Sequence, residues 1–126
     1  MQRKSILTIA ALLLMSLVGC HQANEVTWSV QTTSSDHAWL ALAHSEHTNH
    51  GFGGESAWTI VEMKQNISSS KPVEVLEFEE GPNSVQDLKM NWPSPDHLDI
   101  TYRGNPPITF QAIKAFGKQI TVEKLP

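Results

Sequence analysis

Cysteine is almost missing from this chain of 126 residues, which contains only Cys20. One thiol cannot form a disulfide within the chain, and it cannot supply the paired cysteines of a structural zinc site. The sequence also lacks the His-Glu-x-x-His motif of zinc proteases and any apolar run of the about 20 residues that cross a bilayer as a helix. Stability therefore has to come from a packed core in one small domain.

Positive charge is also scarce, with nine Lys and Arg residues against thirteen Asp and Glu. Arg3 and Lys4 lie in an N-terminal segment that we expect to be removed. Seven basic and thirteen acidic residues then remain, a net charge of −6 with histidine neutral. So acidic a domain has no electrostatic footprint for nucleic acid or for anionic lipid head groups, and we expect no nucleic-acid partner.

The N-terminus, "MQRKSILTIAALLLMSLVGC", has the order of a secretory signal: a positive start at Arg3 and Lys4, then a short apolar centre over 6–14. Its end, Leu17-Val18-Gly19-Cys20, resembles the lipobox of bacterial lipoproteins. The resemblance implies cleavage before Cys20, a diacylglycerol thioether on its sulfur and an acyl chain on the new amine. Three chains anchor a protein stably, because each buried CH₂ contributes ~0.8 kcal/mol.

These features predict three parts: a lipoprotein signal peptide over 1–19, a lipidated cysteine and short tether over 20–25, and an all-β domain over 26–126. His21 follows the cysteine, whereas Asp at this position retains lipoproteins of enteric bacteria in the inner membrane. The resemblance thus implies the inner leaflet of the outer membrane, with the domain facing the periplasm. Five extended tether residues reach roughly 17 Å, so we expect the domain to lie close to the bilayer.

Short runs with period-two alternation dominate the rest of the chain, and segments rich in Gly, Pro, Ser and Asn separate them. The runs cover 26–30, 57–63, 73–79, 88–92, 98–102, 108–113 and 120–125, and the turn segments cover 68–72, 80–84, 93–96 and 103–107. This pattern predicts a single small antiparallel sandwich or open barrel of about seven or eight strands.

The run "SSDHAWLALAH", 34–44, is ambiguous. Its Ala and Leu residues favour a helix, which Ser35 or Asp36 would cap. The pattern S-x-D-x-x-W-L-A instead resembles the start of a blade strand in TolB-type β-propellers, and 94–98 repeats part of it. A closed propeller needs 4–8 blades of about 40 residues, which this chain is too short to provide. We predict a strand over 37–44, with a helix as the alternative.

The domain also resembles small β-rich envelope lipoproteins that carry a Ser-Pro-Asp-Gly-x-Trp motif, a loop rich in His and Gly, and a late Trp followed by His-Leu-x-Val-Thr-Tyr. In this chain Trp39, the His/Gly loop, Trp92 and the segment 97–102 match that order. The resemblance implies a β-rich envelope domain and no particular mechanism.

The stretch "HSEHTNHGFGG", 44–54, holds His44, His47 and His50 at intervals of three residues. Imidazole nitrogen binds Zn²⁺ and Cu²⁺, so these three are candidate metal ligands. A helix would place His37 on one face with His44 and His47, but a strand puts His37 and His44 on opposite faces. The leading interpretation is a solvated loop before a glycine turn. The glycines lack the Lys and Ser/Thr that a phosphate loop requires.

Nucleophilic catalysis has no clear motif here, since a Gly-x-Ser-x-Gly elbow is missing. The acidic run 74–80 is interpreted as the solvated face of a strand rather than a carboxylate pair for glycoside hydrolysis. We expect at least three of the four tryptophans, Trp28, Trp39, Trp58 and Trp92, to lie in the core.

The sequence predicts a non-enzymatic, cofactor-free binding or envelope-associated lipoprotein with a protein partner in the envelope, and an inhibitor or immunity-type protein is one form of it. The alternative is a lipoprotein that binds Zn²⁺ or Cu²⁺ through the cluster from His37 to His50. A hydrolase whose active site is assembled from distant residues is the third interpretation.

Overall fold

The computed structural model describes residues 25–49, 52, 54–80 and 85–126. Cys20, the predicted signal segment and His50 lie outside the described residues. Nine strands follow one another along the chain: β1 Glu25–Thr33, β2 Trp39–Asn49, β3 Glu55–Gln65, β4 Val73–Glu80, β5 Gln86–Ser94, β6 His97–Arg103, β7 Ile108–Gln111, β8 Lys114–Ala115 and β9 Lys118–Lys124. No α-helix occurs in this part of the chain.

The strands form two sheets, one of five strands in the order β1-β2-β3-β4-β7 and one of four in the order β5-β6-β9-β8. The predicted all-β sandwich is confirmed, with β8 as the additional short strand. One pair, β6 and β9, is parallel, so the second sheet is mixed rather than purely antiparallel. Between β6 and β9 the chain crosses to the first sheet, forms β7 there and returns to the second sheet. This crossover lets β9 run in the same direction as β6.

The ambiguous run is a strand, as predicted, although β2 begins at Trp39 and continues to Asn49. Its register with β3 is regular over its whole length, from Trp39 opposite Gln65 to Asn49 opposite Glu55. Ala41, Ala43 and Ser45 are buried while the residues between them are half-buried, which is the period of a strand and not of a helix. The solvated-loop interpretation of 44–49 is therefore wrong.

The core lies between the two sheets, where each inner face contributes apolar side chains. The first sheet supplies Ala41, Ala43, Val61, Met63, Leu76 and Phe78, and the second supplies Trp92, Leu98, Ile100, Tyr102 and Ile120. The rings of Phe78 and Tyr102 meet across the interface with centroids 4.7 Å apart. Each fully buried large apolar side chain contributes about 1.5–3 kcal/mol, so this layer supplies the main stabilisation.

Two of the four tryptophans contact the core, so the expectation of three is wrong. Trp92 is buried, and Trp39 packs against the core cluster. Trp58 is half-buried because its position in β3 directs it to the outer face of the sheet. Trp28 lies on the edge strand β1 and keeps 36% of its surface exposed.

Side-chain hydrogen bonds close the turn between β1 and β2. The Ser34 hydroxyl donates to Asp36 Oδ1 at 2.5 Å and accepts the backbone N–H of Trp39 at 3.0 Å. The Ala38 N–H donates to the same carboxylate oxygen at 3.1 Å. The Ser34 bond first, and the Ala38 bond second, hold the pKa of Asp36 below its ordinary value. The Ser-x-Asp-x-x-Trp pattern therefore specifies this turn.

The similar segment 94–98 forms a different turn. Ser94 pairs with His97, so only Pro95 and Asp96 connect β5 to β6. In the first turn the residue after the aspartate, His37, has a positive φ of 59°, the conformation for which glycine is favoured. The two segments share residue types at corresponding positions but differ in backbone geometry. They do not form a structural repeat.

Replacing Ser34 with Ala is expected to lower the free energy of unfolding by about 1–2 kcal/mol. Ser34 is only 1% exposed, so removal of its hydroxyl would leave the Trp39 N–H without its acceptor. Ser35→Ala, at the exposed neighbouring position, is the matched control and should change stability by less than about 0.5 kcal/mol. Urea unfolding at pH 7 measures both.

The same variant tests the electrostatics of the turn. A carboxyl with a lowered pKa stabilises the fold above its ordinary value of 3.8 and loses that contribution as pH falls below it. Ser34→Ala should raise the pKa of Asp36 measured by NMR titration. An unchanged pKa would contradict the hydrogen-bonded turn.

Candidate functional site

The candidate metal ligands His44 and His47 lie on opposite faces of the first sheet. Both belong to β2, and three residues along a strand reverse the side-chain direction. His44 is opposite Ile60 on the outer face, whereas His47 lines a hollow with Glu55 and Glu80. One metal ion cannot contact both imidazoles in this strand, and His50 lies outside the described residues.

The structure instead pairs His44 with Glu46, whose Oε1 is 2.8 Å from Nε2 of the imidazole. Two residues along a strand share a face, which brings these side chains together. His37 lies in the β1–β2 turn, before β2 begins. Among the residues that the structure describes, no group of three or more His, Cys, Asp or Glu side chains is arranged to hold a metal ion.

The predicted acidic face of β4 is divided between the two sides of the sheet. Glu80 turns inward, where the hydroxyls of the buried residues Thr59 and Ser45 donate to its carboxylate. Glu74, Glu77 and Glu79 are exposed or half-buried on the outer face. Two consecutive buried residues over 75–76 mark a bulge that keeps Glu74 and Glu77 on the same side.

A second polar group on the four-stranded sheet has the composition of a proton relay but not its geometry. Nε2 of His97 lies 2.9 Å from Asp99 Oδ1 and 3.1 Å from Thr121 Oγ1, and the Thr121 hydroxyl donates to the same carboxylate. A relay needs its acid and its hydroxyl on different ring nitrogens. Here both partners share one nitrogen, so the group cross-links β6 and β9.

The outer face of the five-stranded sheet combines carboxylates with half-buried apolar side chains. We call this surface the acidic face and define it by three rows across the strands: Leu42, Glu62 and Glu74; His44, Ile60, Glu77 and Phe110; and Glu46, Trp58 and Glu79. Lys64 follows at one end of the same face of β3. Trp58 thus lies between glutamates on two neighbouring strands, and Ile60 lies between His44 and Glu77.

The carboxylates of the acidic face repel one another. Partial burial raises the pKa of Glu74, and the charges of Glu77, Glu62 and Glu46 raise it further, in that order. Glu62 and Glu74 are direct cross-strand partners, a position where like charges destabilise a sheet. The face therefore holds excess negative charge at some cost to the fold.

Sequence reasoning found part of this surface and missed its extent. The sequence predicts that the run 74–80 forms the face of a strand, but it does not connect Glu46 and Glu62 with that face. The sequence signal is that Glu46 and Glu62 occupy outward positions of β2 and β3. Only the strand register shows that they lie on one surface with the glutamates of β4. Alternation along the strands predicts at least three of the four tryptophans in the core, but Trp58 is half-buried on this outer face.

Comparison with known proteins returns no match among protein-family models, curated proteins or solved structures. The site therefore has to be interpreted from its own geometry. In the part of the chain that the structure describes, no helix has the length and apolar character to span a membrane.

Replacing Glu74 with Gln should stabilise the protein at pH 7 by up to about 1 kcal/mol, the upper range for a cross-strand pair. A carboxyl with a raised pKa costs stability as pH rises above its ordinary value of 4.5, so the gain should shrink towards pH 4. Glu79→Gln is the control, because Glu79 lies on the same strand as Glu74 but opposite Trp58 of β3. This variant should gain less stability. Equal gains at both positions, or a gain independent of pH in urea unfolding, would contradict the repulsion.

Proposed function

We propose that this protein is a lipid-anchored, non-enzymatic binding module of the bacterial cell envelope that binds a cationic protein through its acidic face. The observation that carries the proposal is the acidic face itself: a sheet surface that places apolar side chains among like charges. An inhibitor or immunity-type protein is one form that such a module takes.

Charge complementarity identifies the class of partner. In the free protein the charges of Glu77, Glu62 and Glu46 act unfavourably on Glu74, and Lys or Arg side chains of a partner would offset that repulsion. Complementary charge mainly accelerates association and excludes wrong partners. Binding should also release protons, because a cation beside Glu74 lowers its raised pKa.

The apolar side chains supply the affinity that charge alone does not. Trp58 and Ile60 are half-buried in the centre of the acidic face, between Glu46, Glu77 and Glu79. Tryptophan is enriched among the few residues that dominate binding energy, and such residues are surrounded by polar contacts that exclude water. Trp58 is the proposed centre of the interface.

The lipobox supports the location. Cys20 precedes the first residue of β1, Glu25, by five positions, so an acylated Cys20 would hold the sandwich within a short distance of the bilayer. The partner is then a protein of the same membrane surface or of the adjacent periplasm. Metal binding through His37–His50 has no comparable support, because His44 and His47 face opposite sides of the sheet.

Changing Cys20 to Ala should move the protein from the membrane fraction to the soluble fraction, since acyl chains supply the anchoring and no basic patch assists them. Fractionation of cells followed by a high-salt wash measures this. Wild-type protein that washes off the membrane, or a variant that stays on it, would contradict the anchor.

The acidic face is tested by charge reversal. Glu62→Lys should weaken capture of the partner from solubilised membranes at least tenfold, which equals about 1.4 kcal/mol. Glu123→Lys is the matched control, because Glu123 is exposed on β9 of the other sheet and the charge change is identical. Capture by the wild type should fall with added salt.

A photo-crosslinker at position 60 should capture in intact cells the same protein that the pull-down identifies. The captured protein should present a basic surface. An acidic partner, or one that Glu62→Lys and Glu123→Lys retain equally, would contradict the proposed interface.

A further inference from the structure

The two sheets have four edge strands among the described residues, and three of them are protected against further pairing. β7 has four residues and follows Pro106 and Pro107 directly. β8 has two residues and begins with Lys114. β5 contains Lys89 and Pro93 and has register shifts near both ends. Short length, charge and proline are the usual devices that stop an edge from recruiting another strand.

β1 has little of this protection. It is nine residues long, and its sequence, EVTWSVQTT, contains no Lys, Arg or Pro and a single charge at Glu25. Val26, Trp28 and Val30 remain 54%, 36% and 46% exposed. One irregularity, between Val26 and Trp28, ends the regular part of the edge. A long edge with a single charge and exposed apolar side chains is a template for strand addition.

The backbone groups of β1 point in the direction that pairing needs. The Ser34 N–H donates to the Trp39 carbonyl at 2.9 Å, so Ser34 directs its backbone towards β2. Antiparallel pairing alternates this direction residue by residue, and β1 keeps a regular register with β2 from Trp28 onward. Ser29, Gln31 and Thr33 therefore direct their N–H and C=O groups away from the sheet.

We propose that a second copy of this chain pairs with β1 in antiparallel fashion, with Ser29 on the twofold axis, to join the two five-stranded sheets. In this register Trp28 lies opposite Val30 of the second copy, an aromatic and β-branched pair of the kind that stabilises cross-strand contacts. Glu25 is the one charged residue of β1 and lies near the end of the strand, far from the Glu25 of the second copy, so no like charges meet along the edge. Both apolar pairs lie on the inner side, where Trp28 and Val30 pair with the buried residues Ser45 and Ala43.

The opening between the two sheets lies beside the same edge strand. A groove of about 350 Å³ beside β1 is lined by Trp28, Val30, Val85, Asp87 and Leu88. Joining two copies along β1 covers this groove with the paired Trp28 and Val30 side chains. The acidic face lies on the other side of the sheet and stays accessible, so this pairing is separate from the proposed partner site.

Disulfide trapping tests the register directly, because the chain has no cysteine besides Cys20. Ser29→Cys places two thiols opposite each other at the axis, and mild oxidation of membranes should convert it to a disulfide-linked dimer on non-reducing gels. Thr33→Cys is the matched control on the same strand and face. Its two thiols would lie roughly 27 Å apart, eight residues along the strand, and should give at least tenfold less dimer.

Adding Val30→Lys to Ser29→Cys should lower the dimer yield at least tenfold, because a lysine on the edge blocks pairing. Val30 is exposed, so this variant should keep the circular dichroism spectrum of the wild type. Repeating the experiment in a Cys20→Ala background removes the anchor and the native thiol, and a dimer there still supports the pairing if the anchor proposal fails. Equal cross-linking of Ser29→Cys and Thr33→Cys, or a Ser29→Cys product that contains only a different protein, would overturn the inference.

Discussion

The regular alternation of β2 is the constraint on which the rest of the first sheet depends. Ala41, Ala43 and Ser45 point to the second sheet, and the residues between them point to solvent. Small side chains at these inward positions let the core residues of the facing sheet approach closely. The same parity separates His44 from His47 and brings His44 together with Glu46. Core packing and the candidate site therefore share one origin.

The acidic face illustrates how a proposed binding surface can conflict with stability. A sheet surface exposed to water needs polar residues, but it does not need three further glutamates whose charges add to partial burial in raising the pKa of Glu74. Threonine or lysine at Glu62 would relieve the cross-strand repulsion and suit a strand equally well. Repulsion that the fold tolerates at some cost is consistent with the proposed cationic partner, which would remove it. The central Trp58 fits the same proposal, because a solvated strand does not require an indole there.

The sandwich also distributes its surfaces in a useful way. The acidic face covers the outer side of the five-stranded sheet, and the open edge β1 lies at the border of that sheet. Pairing along β1 would leave the acidic faces of both copies accessible. The proposed anchor at Cys20 precedes the first residue of β1 by five positions in the sequence, so the edge and the proposed membrane attachment belong to the same end of the domain. Two copies in one leaflet would meet more often than two copies in solution.

Local patterns in the sequence determined the fold class, most strand positions and the turn chemistry of Ser34 and Asp36. Alternation and turn residues act over a few neighbours, so they are visible without the structure. The lipobox likewise is a local motif, and the anchor that it predicts remains a prediction. The sequence could not show that β2 continues through His47, because a run of polar residues does not distinguish a strand from a loop. Only the tertiary structure decided which glutamates meet, that Glu80 turns inward and that β1 forms an edge of the five-stranded sheet among the described residues. Those features depend on register between distant strands and on sheet order, and neither is set by any single segment of the chain.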